Sequence, residues 1–404
     1  MRFGLWPFVA SAVCVGILMP LAIRARSIGR DCGGGVQTIH VAPTSRLGGA
    51  VIVIVFLLMV GLAPAMDSPS LRAGVPLAVV ALPVVLMGLA EDITCRVRPR
   101  YRLLAAVVSA ALASAYAGGV VPRVDLPLLD NALSAQPWIM LALTWFMVAG
   151  ACNAVNLIDG AHGLAAGTSL IMFGGIALAA GWSGDALTLA PTLAVMGALA
   201  GFLVWNYPRG RIFLGDAGAY FLGFMYAELS IQLVARNSGI SAWYVIMLAG
   251  YPIIDTLCAI YRRAIVRRTP LMAPDGMHLH TLVFRRVAIP IEHRVGERRQ
   301  DHRGRAGSVS GAPALIERRR AERRRREVNL DRANARVAPR LWLHGALGFI
   351  LAVLFNDNTP ALWGGLLAYA VLYVFWYRSL LRFEHEPRPE MAAQQRADLA
   401  KPLR

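Results

Sequence analysis

The sequence predicts an all-α integral membrane protein, a polytopic helical bundle of about eleven transmembrane helices. Three observations predict it. Of the 404 residues 56% are hydrophobic, with a mean hydropathy of +0.52, too apolar for an ordinary soluble domain. The apolar residues fall in blocks of roughly 17–22, the length a helix needs to cross a bilayer. The alternating pattern of a membrane β-barrel is absent, which leaves helices that satisfy their own backbone groups.

The candidate spans are 3–23, 48–66, 74–90, 103–121, 137–155, 163–181, 187–206, 217–235, 241–261, 340–356 and 361–380. The first lacks a strongly basic start and a small-residue cleavage site, so it reads as a retained helix. Arginine alternates between the loops. The first holds Arg26, Arg30 and Arg46, the third Arg96, Arg98, Arg100 and Arg102, and the seventh Arg209 and Arg211. The ninth, 262–339, is dense with arginine, and the fifth is neutral. Even loops hold little: Arg72, then Arg123 offset by Asp125 and Asp130, then Arg236. The positive-inside rule then puts the N-terminus in the periplasm and the C-terminus in the cytoplasm.

The net charge of +17 is arginine rather than lysine, with Lys401 the sole lysine, and it is not a nucleic-acid signature. The expected organisation is a transmembrane core with cytoplasmic loops over 1–292, a flexible Arg-rich insertion over 293–338, two last helices over 339–382 and a cytoplasmic tail over 383–404. Within the insertion, Glu317–Arg326 is nearly all charge, suited to a solvated helix or to anionic headgroups. Cys14, Cys32, Cys95, Cys152 and Cys258 show no metal spacing and read as inert small residues.

Ionisable residues near a bilayer are expensive, and here they gather on the odd loops. Glu91 and Asp92 close the third span, where adjacent carboxylates suit Mg²⁺ or a general base. Asn153, Asn156 and Asp159 recur every three residues and so share one helix face, before Gly160 lets the backbone turn close to a ligand. Asn206 precedes Asp216, an acid between small residues with the character of a hard Mg²⁺ ligand. Asp275, His278 and His280 sit on a loop, where the histidines suit phosphate oxygens better than zinc. Arg46, in RLGG, is placed to pair a lipid phosphate. Asp255 is an isolated acid in the ninth span, with its role open. Together these clusters suit a hydrophilic phosphate-bearing substrate meeting a membrane-embedded one.

At these residues the chain resembles the polyprenyl-phosphate N-acetylhexosamine-1-phosphate transferases, a family that includes phospho-MurNAc-pentapeptide translocase. The match runs in order through RLGG at 46–49, ED at 91–92, NxxNxxDG at 153–160, FLGDAG at 213–218 and HLH at 278–280. The resemblance implies that undecaprenyl phosphate attacks the β-phosphorus of a UDP-N-acetylhexosamine, UMP leaves, and a sugar-diphospho-lipid forms in the bacterial inner membrane, opening O-antigen or related glycan synthesis. It implies Mg²⁺, with Mn²⁺ as a substitute, held by Asp216 with Asp92 and Glu91. It also implies catalytic work by Glu91, Asp92, Asp159, Asp216, His278 and His280. Asn153, Asn156, Asp159, Gly160 and Asn206 match residues around the nucleotide, and Arg46, His278 and His280 complete the substrate contacts. A homodimer fits the resemblance. The chain departs from the family pattern at Glu91 for an Asp, His162 for an acid and Thr281 for a last His. In-line displacement by an already ionised lipid phosphate is the expected route, with an aspartyl-phosphate at Asp92 as its rival. The rival classes are a catalytically inactive relative and a transporter, which would carry its polar residues near the midplane.

Overall fold

The computed structural model describes residues 5–24, 44–271, 275–289 and 330–382. The expectations for Arg26, Arg30, Cys32, the charged run 317–326 and the tail 383–404 lie outside them.

Each predicted span contains a helix. They are α1 (Trp6–Arg24), α2 (Gly48–Leu62), α3 (Pro69–Arg72), α4 (Gly74–Val80), α5 (Leu82–Thr94), α6 (Pro99–Tyr116), α7 (Pro127–Ser134), α8 (Pro137–Leu157), α9 (Leu164–Trp182), α10 (Ala186–Asn206), α11 (Gly215–Arg236), α12 (Ala242–Leu248), α13 (Gly250–Tyr261), α14 (Leu279–Val283), α15 (Val337–Leu354) and α16 (Thr359–Arg382). Among the described residues seven helices are long and apolar enough to cross a bilayer, or nine if two bent pairs each count as one span. The 15-residue α2 is shorter, and α6 is less apolar. The chain is a multi-pass membrane protein.

Two spans read as continuous from the sequence are broken. The third bends by 57° between α4 and α5, where Pro83 removes a backbone donor and crowds the preceding turn. The ninth bends by 76° between α12 and α13, at Gly250 and Pro252. Helical structure resumes at Leu330, inside the stretch assigned to the insertion, and Ala333 and Asn334 are buried against the core. Cys95 is disulfide-bonded rather than inert, while Cys14, Cys152 and Cys258 carry free thiols.

Helix α11 is the centre of the bundle. Its whole apolar window is buried, enclosed by α2, α5, α8 and α9. In lipid, helix association depends on close packing, so small residues line such contacts. A Cβ on Gly49 of α2 would collide with the Gly218 backbone, and one on Gly88 of α5 would come within 2.6 Å of Ala217 Cα. These glycines let α2 and α5 reach the first turn of α11.

One end of the bundle is a structural clasp. Arg123 donates to Asp125 at 2.7 Å and to the carbonyls of Val234 and Ile240 at 2.9 and 2.7 Å, closing the C-terminal end of α11. Ser241 and Thr359 share a 2.7 Å hydrogen bond beside it. The other end holds Arg46, Asp92, Asp159 and Asp216.

Replacing Gly49 with Ala forces backbone apart at α11 and is expected to cost about 1–3 kcal/mol. Gly61→Ala on the same helix meets nothing within 4 Å and serves as the control. Thermal melts in detergent check this: the Gly49 variant drops by several degrees and the Gly61 variant does not.

Candidate functional site

The site begins with backbone pairing. Phe213 N–H donates to Ser45 O at 2.8 Å, and Gly48 and Gly49 N–H donate to Phe213 O and Leu214 O at 3.0 and 2.8 Å. This pairing lays the segment before α2 against the segment before α11. Arg46 is thereby delivered to the first turn of α11. Gly215 takes a positive φ of 72°, and a side chain there would meet Asp92 Oδ2 at 2.7 Å.

Asp92 is fully buried at the end of α5. Its Oδ1 accepts from Asp216 N–H at 2.8 Å and its Oδ2 from Ala217 N–H at 2.9 Å. It therefore caps α11 with both oxygens, where unpaired N–H groups and the helix dipole favour an anion. Arg46 bridges the two acids, with Nε 3.3 Å from Asp92 Oδ1 and Nη2 donating to Asp216 Oδ1 at 2.9 Å. Arg102, from the start of α6, ion-pairs with Asp216 Oδ2 and stands 5.9 Å over the Tyr220 ring. The Asn156 amide lies beside the Tyr220 hydroxyl.

Asp159 joins from the loop after α8. Burial pushes its carboxyl up to about 7, Arg46 opposes that, the Asp92 charge adds to it, and a Gly215 backbone hydrogen bond again lowers it. Asn153 lies one helical turn before Asn156, half-buried on the same face of α8. Asn206 is clipped internally, accepting from Gly163 N–H at 2.6 Å and donating to Ile212 O at 2.7 Å. Its amide joins two loops. Beside Asp92, Glu91 Oε2 accepts from Val97 N–H at 2.7 Å.

The histidines enter beside Asp159. The His280 ring lies directly on Gly160, where any side chain would overlap it. His278 stacks parallel to His280, with centroids 5.6 Å apart. Burial, reinforced by His278, pushes His280 down to about 4, so it is neutral at physiological pH. His278 Nδ1 is 2.7 Å from Asp255 Oδ2, which gives that isolated acid a partner. Asp275, despite its burial, is held below the usual carboxylate range by Arg262, which donates to it at 2.9 Å. His162 packs on Phe213, its backbone N–H donates to the Asn334 side-chain oxygen at 2.9 Å, and burial pushes its ring down to about 4.

For a divalent cation, the fit is to Asp216. Of the expected trio of Asp216, Asp92 and Glu91, Asp92 has both oxygens on backbone N–H groups and Glu91 has one on Val97 N–H. Asp216 meets arginine side chains, which can transfer to phosphate oxygens. Mg²⁺ typically takes one or two protein carboxylates and completes its shell with phosphate and water, which Asp216 and neighbouring Asp159 can satisfy. No three His, Cys, Asp or Glu among the described residues form a ready cage. A cavity of about 630 Å³ lies elsewhere, and its carboxylate, Asp130, is spent on Val124 and Leu126 N–H groups.

Arg102 and Tyr220 were missed in the sequence, because Arg102 looks like any positive-inside arginine and Tyr220 like any interfacial aromatic.

Arginine bridges a buried acid cluster at one end of a membrane-spanning helical bundle. The family model for glycosyl transferase family 4 matches residues 75–234. A probable undecaprenyl-phosphate N-acetylglucosaminyl 1-phosphate transferase of Bacillus subtilis is 30% identical over 298 residues, 71% of this chain and 78% of that protein. A decaprenyl-phosphate N-acetylglucosaminephosphotransferase of Mycobacterium tuberculosis is 30% identical over 65% of this chain and 70% of its own length. A phospho-N-acetylmuramoyl-pentapeptide-transferase of Oceanobacillus iheyensis is 42% identical over 125 residues, 30% of this chain and 36% of that protein. The chain belongs to glycosyl transferase family 4, among the polyprenyl-phosphate hexosamine-1-phosphate transferases, and is a phospho-sugar transferase.

The raised Asp159 carboxyl fixes a pH dependence. The folded chain holds this proton up to about 7 while the unfolded chain releases it near 3.8, so this residue lowers stability as pH rises between those values. The isosteric Asp159→Asn removes that loss. The melting temperature of the variant minus that of the wild type is expected to grow more positive from pH 5 to pH 7.5, as melts across the range will show.

Proposed function

We propose that this chain transfers an N-acetylhexosamine-1-phosphate from a UDP-sugar to undecaprenyl phosphate, giving undecaprenyl-diphospho-sugar and UMP. The observation that carries the reading is the pairing of Arg46 and Arg102 with Asp216 beside Asp92 and Asp159 at one end of the bundle. Two guanidiniums set in a fork match the oxygens of a diphosphate. UDP-N-acetylglucosamine is the default donor, since relatives from two organisms are named for N-acetylglucosamine transfer. We place the site on the cytoplasmic side of a bacterial inner membrane, acting early in O-antigen or a related glycan, in a chain that can pair as a homodimer.

In this mechanism Arg46 and Arg102 leave Asp216 for the diphosphate and neutralise its charge as the phosphorus–oxygen bond to UMP breaks. Asp216, with Asp159, would hold a Mg²⁺, which supplies further charge neutralisation to the diphosphate when bound. Asp92 keeps α11 and Gly215 in place. Its doubly occupied carboxylate favours direct attack by the ionised lipid phosphate over an aspartyl-phosphate at that residue. His278 and His280 bring imidazole nitrogens to the opposite wall beside Gly160. Asn153 and Asn156 face the nucleotide from α8, and Asn206 and Gly160 shape the loops around it.

Purified protein with undecaprenyl phosphate is expected to release UMP from UDP-N-acetylglucosamine or another UDP-N-acetylhexosamine in a panel. Chelation should stop release and added Mg²⁺ restore it. Asp216→Asn is expected to lower kcat by about 100-fold or more. UMP release that persists undiminished in Asp216→Asn contradicts the proposal.

A further inference from the structure

Helix α16 lies beyond the stretch that the family model matches, 75–234. It starts at Thr359, tied to Ser241 in the structural clasp. At about 1.5 Å per residue, Tyr373 lies about 21 Å further along, toward the end that carries the acids. There its buried hydroxyl donates to Asp255 Oδ1. The same oxygen accepts from Leu279 N–H at 3.2 Å, and the other oxygen meets His278 Nδ1 at 2.7 Å. His278 Nε2 is buried with no hydrogen-bond partner among the described residues.

One turn further along, Tyr377 stacks on Tyr373, with centroids 6.2 Å apart. Its hydroxyl accepts from Arg262 Nη1 at 2.8 Å and donates to Met277 O at 3.0 Å. Two tyrosines of one helix thus hold the start of the segment that carries the histidines, Tyr377 directly at Met277 and Tyr373 through Asp255 at His278 and Leu279. A carboxylate that accepts from imidazole Nδ1–H selects the tautomer and the ring plane, leaving Nε2 to meet a ligand. A buried carboxylate short of donors rotates or takes a proton to satisfy itself. The hydroxyl of Tyr373 supplies one of those donors.

We propose that Tyr373 is a positioning residue: through Asp255 it fixes the ring of His278 in the stack with His280, with Nε2 presented to the phosphate-bearing substrate. The bend at Gly250 and Pro252 aims Asp255 at this meeting point, and α16 completes the site from outside the matched stretch. The activity arm of the test rests on the transferase reading, and the exchange arm does not.

Tyr373→Phe removes one oxygen atom. Tyr369→Phe is the control, because its buried hydroxyl has no partner among the described residues. With UDP-N-acetylglucosamine and undecaprenyl phosphate, Tyr373→Phe is expected to lower kcat about tenfold with KM for the UDP-sugar within about twofold. Its melting temperature stays within a degree or two of the wild type. Hydrogen exchange followed by mass spectrometry should show faster exchange at Leu279–Val283, where the Leu279 amide bonds Asp255. Tyr369→Phe should change neither readout. Undiminished turnover in Tyr373→Phe, an equal loss in Tyr369→Phe, or a general fall in melting temperature overturns the proposal. If the wild type releases UMP from no UDP-sugar, the transferase reading falls. Exchange at Leu279–Val283 then decides alone, and an unchanged rate overturns the positioning role.

Discussion

The double cap that Asp92 places on α11 governs the geometry of the site. A helix start at the membrane edge leaves N–H donors that lipid cannot satisfy. Asp92 satisfies two of them, at Asp216 and Ala217, and in doing so locks the end of α5 to the start of α11. Gly215 can make the turn because it has no side chain to strike that carboxylate. Arg46 answers the charge that the cap brings into a buried place. A buried carboxylate of this kind is tolerable only when it is hydrogen-bonded and paired, and every partner it uses is supplied by a different part of the chain.

The arginines join the fold to the chemistry. Arg46 and Arg102 neutralise the acids of the cluster, and a planar guanidinium fork is also what pairs with phosphate oxygens. Arg123 shows the contrasting use of the same side chain at the opposite end, where its donors go to backbone carbonyls and an aspartate that close α11. Asn206 shows the same division among the asparagines. Its amide is committed to loop closure, whereas Asn156 lies near Tyr220 and Arg102 at the acid cluster.

Much of this was legible in the sequence because the bilayer imposes simple rules. Long apolar blocks marked where helices lie, and acids at their ends marked where polar groups converge. Asp92, Asp159 and Asp216 declared themselves because an apolar span has no other use for them. The breaks at Pro83 and Gly250 were hidden in apolarity, which reports that a segment is buried in lipid and not whether it is straight. Glu91 looked equivalent to Asp92, yet adjacent residues on a helix point about 100° apart, and only one of them faces α11. Tyr373 and Tyr377 were illegible for a related reason. A tyrosine in an apolar helix reads as bulk, and its hydroxyl gains meaning only when the partner, hundreds of atoms away in the chain, is in place.

The most direct measurement is an experimental structure of the full chain with a UDP-N-acetylhexosamine and Mg²⁺ bound. The account predicts diphosphate density at the start of α11, within hydrogen-bonding reach of Arg46 or Arg102 and beside Asp216, with the uracil end toward α8. Diphosphate density away from all three side chains, for instance in the cavity near Asp130, would contradict it.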